Sequence, residues 1–200
     1  MIRRKKVRNL LIGAALAACT GLVFQAPAQA QAKKYHVYLS MSYSGNAWQT
    51  EAENVIKALA ATPPYDKSVE LTTVISGTDV QAQASAYESM ISAGADAIIT
   101  FPISATGLNR AIRHACEKHV LVYTYSAMVT EPCARTISHV TAGSAQNAAQ
   151  WLVNTLNGKG NLFFDRGVPG HPIDKTYHDA AMSVFSKYPG IKIVAEYYGM

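Results

Sequence analysis

The chain has 200 residues with 18 Lys and Arg against 13 Asp and Glu, a formal charge of +5, and 49% of its residues are hydrophobic. Five of the basic residues stand before residue 9 and no acidic residue stands before residue 31, so the remainder carries 13 of each sign and is formally neutral. With no Lys/Arg cluster left to contact phosphates, the composition excludes a nucleic-acid binder.

Arg3, Arg4, Lys5, Lys6 and Arg8 form a positive leader, Leu10 to Phe24 an apolar run, and Ala26 to Ala30 (APAQA) a small-residue cleavage site. This order predicts a secretory signal peptide over residues 1–30, too short in its apolar part for a membrane anchor. Leu16 to Cys19 (LAAC) also reads as a lipoprotein box, and lipid anchoring at Cys19 is the minority alternative. Export leaves Cys116 and Cys133, an even pair in an oxidising compartment. Two cysteines are too few for a usual four-ligand metal site.

Tyr35 to Leu39 is a short apolar run suited to a buried strand, broken by the turn formers Ser42 to Asn46. Ala47, Trp48, Ala52, Val55, Ile56 and Leu59 then recur at helical spacing. Such a strand–loop–helix unit opens a βαβ fold, whose loops beyond the strand ends hold ligands. The loop offers hydroxyls, an amide and an indole but no nucleophile–base pair, which suits holding a neutral polar molecule. Val69 to Ile75 predicts a second strand, with Asp79 capping a helix to about Ala93. Ala97 to Phe101 and Val120 to Tyr125 predict a third and fourth, with a helix between them ending near His119. Strands alternating with helices at this spacing mean a mostly parallel sheet. Residues 127–138 show no strong periodicity and are expected to be a connection. A helix over Ala145 to Leu156, a strand over Leu162 to Phe164, a helix over Ile173 to Tyr188 and a strand over Ile191 to Tyr197 follow.

Several motifs in this order resemble the periplasmic substrate-binding proteins of sugar ABC transporters, of the ribose-binding type. Ser44 to Trp48 (SGNAW) is similar to that family's first ligand loop, Ala93 to Ile99 (AGADAII) to a strand entry, and Lys187 to Ile193 (KYPGIKI) to the entry of a second-lobe strand. The surroundings of Cys116 and Cys133 resemble a subgroup with a cysteine at each place, which implies a Cys116–Cys133 disulfide; two buried free thiols are the alternative reading.

The resemblance implies an α/β fold with a Rossmann-like parallel-sheet lobe over residues 31–138. An incomplete second α/β lobe over residues 139–200 follows, because family members continue for another hundred or so residues. It also implies capture of a small polar ligand, most simply a sugar, between two lobes, and delivery to an ABC permease by a monomeric periplasmic protein without a cofactor. A ligand-sensing subunit that presents its closed form to a receptor is the alternative within the scaffold.

The implied ligand contacts are Ser44, Asn46, Trp48, Phe101, Tyr125, Ser126, Asp174 and Lys175. Trp48 would stack on a sugar ring or else pack the helix onto the sheet, and Asn46 would bond hydroxyls, cap the helix, or both. Ser126 stands where the family commonly has an Asp, and Lys175 near where it has an Arg, so the charged clamp of a pentose site is incomplete. The spacings of His114 with His119 and of His171 with His178 do not suit paired ligands, and these histidines are expected at the surface or as helix caps. No G-x-S-x-G, H-E-x-x-H or phosphate-loop pattern occurs, so an exported enzyme is the weaker expectation.

Overall fold

The computed structural model describes residues 33–199, and the expected signal peptide with Cys19 lies outside the described residues. Five parallel strands, β1 (Tyr35–Met41), β2 (Val69–Ile75), β3 (Ala97–Phe101), β4 (Leu121–Tyr125) and β5 (Arg135–Ile137), form one sheet in the order β2-β1-β3-β4-β5. The chain leaves β1 for the neighbour on one side and returns to β3 on the other. Loops after β1 and β3 therefore diverge and leave a crevice at their carboxyl ends, the switch point where doubly wound sheets bind ligands.

Three helices connect these strands: α1 (Ala47–Ala60), α2 (Val80–Ser92) and α3 (Asn109–Glu117). Asn46 and Asp79 cap the first two, each accepting a hydrogen bond from a backbone N–H three residues on, which satisfies one otherwise orphaned donor. The core joins Ile98 and Val122 of the strands to Tyr87, Met90, Leu108 and Ile112 of the helical layer. Cys116 at the end of α3 is bonded to Cys133, 17 residues on, and this ties the segment before β5 to the helix.

β5 corrects the expectation of a structureless connection over 127–138. Tyr123, Thr124 and Tyr125 pair with Arg135, Thr136 and Ile137, and the Thr124 and Thr136 hydroxyls lie 2.8 Å apart. All three β5 residues are exposed, so a short edge strand like this leaves no burial alternation to read.

The chain passes to a second layer after Ser138. Helix α4 (Ala142–Thr155) is followed by β6 (Lys159–Arg166), α5 (Pro172–Phe185) and β7 (Gly190–Tyr198). β6 and β7 pair in parallel with a bulge between Leu162 and Phe163. Their inner side chains pack on the two helices in a separate core of Ala149, Val153, Ala181, Val184, Phe185 and Ile191. β6 is longer than the expected Leu162–Phe164 because Lys159, Asn161 and Asp165 alternate outward along the same paired strand. Among the described residues, no helix is long and apolar enough to cross a membrane.

Candidate functional site

The first wall of the crevice comes from the loop after β1. Gly45 turns it at φ 106°, a conformation that side chains rarely adopt. Asn46 follows as the cap of α1, its Oδ1 accepting from the Gln49 N–H at 2.8 Å, so its amide N–H groups stay available to a ligand. Trp48 stands on the first turn and keeps 47% of its surface exposed. Its ring lies 5.6 Å from Phe101 at the end of β3 and 6.2 Å from Tyr125 at the end of β4, almost parallel to the latter at 23°. Phe101 and Tyr125 are themselves 5.5 Å apart. Two strand-end aromatics and Trp48 at the start of α1 thus make a continuous apolar platform.

That platform is fixed from behind by a buried amide. Gln83 of α2 donates from Nε2 to the Phe101 carbonyl at 3.0 Å and accepts at Oε1 from the Ile103 N–H at 2.9 Å. On the other side, Ser126 follows β4 at φ 59°, its N–H donating to the Ile137 carbonyl. A non-glycine residue there is strained and held by its surroundings. Burial raises the Tyr125 phenol far above its ordinary range, with Glu53 and Tyr43 adding to it, so it remains a neutral hydroxyl; its oxygen has no hydrogen-bond partner within the described residues.

The opposite wall comes from the start of α5. His171 caps the helix, Nδ1 accepting from the Ile173 N–H at 3.3 Å. It is buried at 4% exposure, and that burial depresses its pKa to about 4 against a weaker upward pull from Asp174. Ile173 and Tyr177, one turn apart, face the crevice. An open volume of about 400 Å³ is bordered by Tyr43, Asn46, Trp48, Gln49, Phe101 and Ser126, and by His139, Val140, Ile173 and Tyr177. None of these ten is a carboxylate, an ammonium or a guanidinium.

Charge lies further along the second wall. Arg166 grips Asp174 with two bonds of 2.9 and 2.8 Å and reaches Glu196 at 2.9 Å. Burial alone would raise the Asp174 carboxyl, but the Arg166 fork and the Gly167 N–H outweigh it and hold it below its ordinary value. Asp174 lines a smaller cavity of about 220 Å³ that shares Tyr43, Ile173 and Tyr177 with the first. Among the described residues, no group of His, Cys, Asp and Glu side chains converges as a metal site.

Of the residues singled out in the sequence, Asn46, Trp48, Phe101 and Ser126 line the larger cavity together, and Tyr125 stacks beside Trp48. Ser44 is exposed on the loop outside that lining. Asp174 is engaged by Arg166, and Lys175 points to Asp179, with 75% of its side chain exposed. Tyr43, Gln49, Ile173 and Tyr177 were missed, although Ile173 and Tyr177 have the i, i+4 spacing of one helix face. His171 caps its helix, as expected for a histidine in such a place, but it is buried rather than at the surface.

A parallel α/β sheet whose strand-end loops face a second α/β layer across an aromatic cleft defines a two-lobed binding fold. The chain belongs to the periplasmic binding protein domain family, whose match spans residues 37–200. A xylitol-binding protein of Mycolicibacterium smegmatis is 29% identical over 130 residues, 64% of this chain and 37% of that protein. The crystal structure of an ABC transporter solute binding protein from Thermobispora bispora superposes with a TM-score of 0.72 at 25% identity, covering 84% of this chain and 53% of that one. An ABC transporter solute binding protein from Burkholderia graminis, in complex with D-arabinose, has the same fold at a TM-score of 0.74 and 20% identity, over 84% of this chain and 57% of that one. The chain spans about half the length of these solved relatives and less of the xylitol-binding protein.

Proposed function

We propose that this protein is an exported, periplasmic solute-binding protein that captures a neutral polyhydroxy compound, a sugar or sugar alcohol, in the cleft and delivers it to an ABC permease. The observation that carries this reading is the lining of the 400 Å³ space, which has aromatic faces and polar groups but no fixed charge. Trp48 and Phe101 offer faces to the C–H side of a sugar, while Asn46, Gln49, Tyr43, Tyr177 and Ser126 offer donors and acceptors to its hydroxyls. A charged ligand would lose its hydration against this uncharged lining, because Arg166 nearby is already paired with Asp174 and Glu196.

Capture would work by closure. Asn46, Trp48 and Phe101 belong to the first lobe and Ile173 and Tyr177 to the second, so one ligand touches both only when the lobes approach. The names of the relatives that bind xylitol and D-arabinose support the ligand class. The protein acts as a monomeric binder, without chemistry of its own. A thermal-shift panel tests the reading: neutral pentoses, hexoses and pentitols should raise Tm in a concentration-dependent way. Uronic acids and amino sugars should not, and stabilisation by these alone would overturn it.

A further inference from the structure

The cleft end of α5 stands beyond the core of its own lobe. That core takes Ala181, Val184 and Phe185 from the helix, whereas Ile173 and Tyr177, which line the cleft, lie in the turns before it. The chain reaches this end through the loop 167–171, in which Gly170 turns at φ 77°. The His171 cap and Pro172 start the helix, but both act within the helix and leave its direction against the sheet to other groups.

One guanidinium ties that end to both strands of the second sheet. Arg166 closes β6 with 11% of its side chain exposed. Its Nε and Nη2 donate to the two oxygens of Asp174, in the first turn of α5, at 2.9 and 2.8 Å. Its Nη1 donates to Glu196 of β7 at 2.9 Å, and the guanidinium lies 5.0 Å from the centre of the Tyr198 ring. Asp174 also accepts from the Gly167 N–H at 3.1 Å, which pins the two ends of the loop to each other. Glu196 in turn stands 3.4 Å from His178, one turn further along α5, and the His178 ring meets Phe164 of β6 edge-on at 5.4 Å.

We propose that Arg166 is a positioning residue for ligand capture: through Asp174 it fixes the loop 167–171 and the first turn of α5, so that Ile173 and Tyr177 stand ready on the cleft wall. The inference rests on the reading of this cleft as a site for a neutral polyhydroxy compound. A planar fork bonded to both oxygens of one carboxylate admits a single geometry, which a point charge such as Lys would not impose. A wall ordered in advance loses little conformational freedom when the ligand arrives, and affinity gains by that amount. Arg166 also borders an outer space with Tyr43 and Asn46, so direct contact with the ligand is the rival role. The two sides of the pair separate these roles, because Asp174→Asn leaves Arg166 in place while weakening its hold on the helix.

Hydrogen exchange of the protein without added sugar tests the positioning. In Arg166→Met and Asp174→Asn the amides of residues 167–178 should exchange faster, by roughly tenfold in Arg166→Met, while those of β3 keep their wild-type rates. The Cys116→Ser, Cys133→Ser double variant, which loosens the first lobe, should leave residues 167–178 unchanged. Calorimetry with xylitol and D-arabinose at pH 8 runs beside it on folded samples. Both Arg166→Met and Asp174→Asn should bind more weakly than the wild type, Arg166→Met by about tenfold, and the cysteine variant should bind as the wild type does. Asp174→Asn carries both measurements if Arg166→Met fails to fold. Unchanged exchange over 167–178, or equal acceleration there in the cysteine variant, overturns the proposal. So does a loss of affinity in Arg166→Met alone, which would mark Arg166 as a ligand contact. Unaltered affinity in both pair variants sinks this inference alone, and the expected exchange in a protein that binds neither compound sinks the neutral-sugar reading alone.

Discussion

Gln83→Met keeps side-chain length and volume while removing the amide that fixes Phe101. The change strips the acceptor from the Ile103 N–H and one of two donors from the Phe101 carbonyl, which keeps the Ser42 N–H at 3.2 Å. An orphaned buried N–H costs about 1–3 kcal/mol and a lost but replaceable hydrogen bond about 1 kcal/mol. The contact of Gln83 Nε2 with Ser40 Oγ is long, at 3.4 Å, and adds little. The sum is a loss of about 2–4 kcal/mol, to be read as a lower urea midpoint at unchanged slope. Gln83→Glu should cost more at neutral pH, because a buried carboxylate would face the Phe101 carbonyl where a donor stood. A loss below about 1 kcal/mol in Gln83→Met would refute the claim that this amide braces the platform.

Replacing both Cys116 and Cys133 by Ser should lower stability by about 3 kcal/mol on the loop-entropy argument for a 17-residue separation, measured by urea unfolding beside the oxidised protein. Gly190→Ala should cost about 1–3 kcal/mol by overpacking, because its Cβ would stand 2.5 Å from the Gly158 carbonyl oxygen; thermal unfolding would show it as a lower Tm. Asp174→Asn should cost roughly 3 kcal/mol at pH 7, since it leaves the nearly buried Arg166 short of a partner. The carboxyl's folded pKa lies below its ordinary 3.8, so its contribution is present above about pH 4 and is lost as pH falls through the folded value. The stability gap between wild type and Asp174→Asn should therefore narrow on acidification, and a gap independent of pH would contradict the assignment.

The strands and helices that bury a face were legible because burial imposes a period on the sequence. Val69–Ile75 and Ala97–Phe101 have the bounds the sequence predicts. β5 was not legible, since its three exposed residues are held by β4 and by the nearby disulfide rather than by a buried face. On the first wall, Asn46, Trp48, Phe101 and Ser126 could be found because strand ends and helix starts mark where a ligand loop lies. Gln83 lies mid-helix, and only the fold shows that its amide reaches the end of another strand. On the second wall the sequence pointed to the charged pair Asp174 and Lys175, yet those side chains find partners within their own lobe. Ile173 and Tyr177 line both cavities and Asp174 the smaller one beside them, and a local charge pattern gives no sign of those two uncharged neighbours.

The most direct test of the central claim is calorimetric titration of the protein and of Trp48→Ala with xylitol, D-arabinose, D-glucuronate and D-glucosamine at pH 8. At 47% exposure Trp48 contributes little to the core, so the variant should melt within a few degrees of the wild type while losing at least tenfold in affinity for the neutral ligand. The account predicts saturable binding of one or both neutral compounds by the wild type and none of the charged pair. Tighter binding of the uronate or the amine, or full affinity in Trp48→Ala, would contradict it.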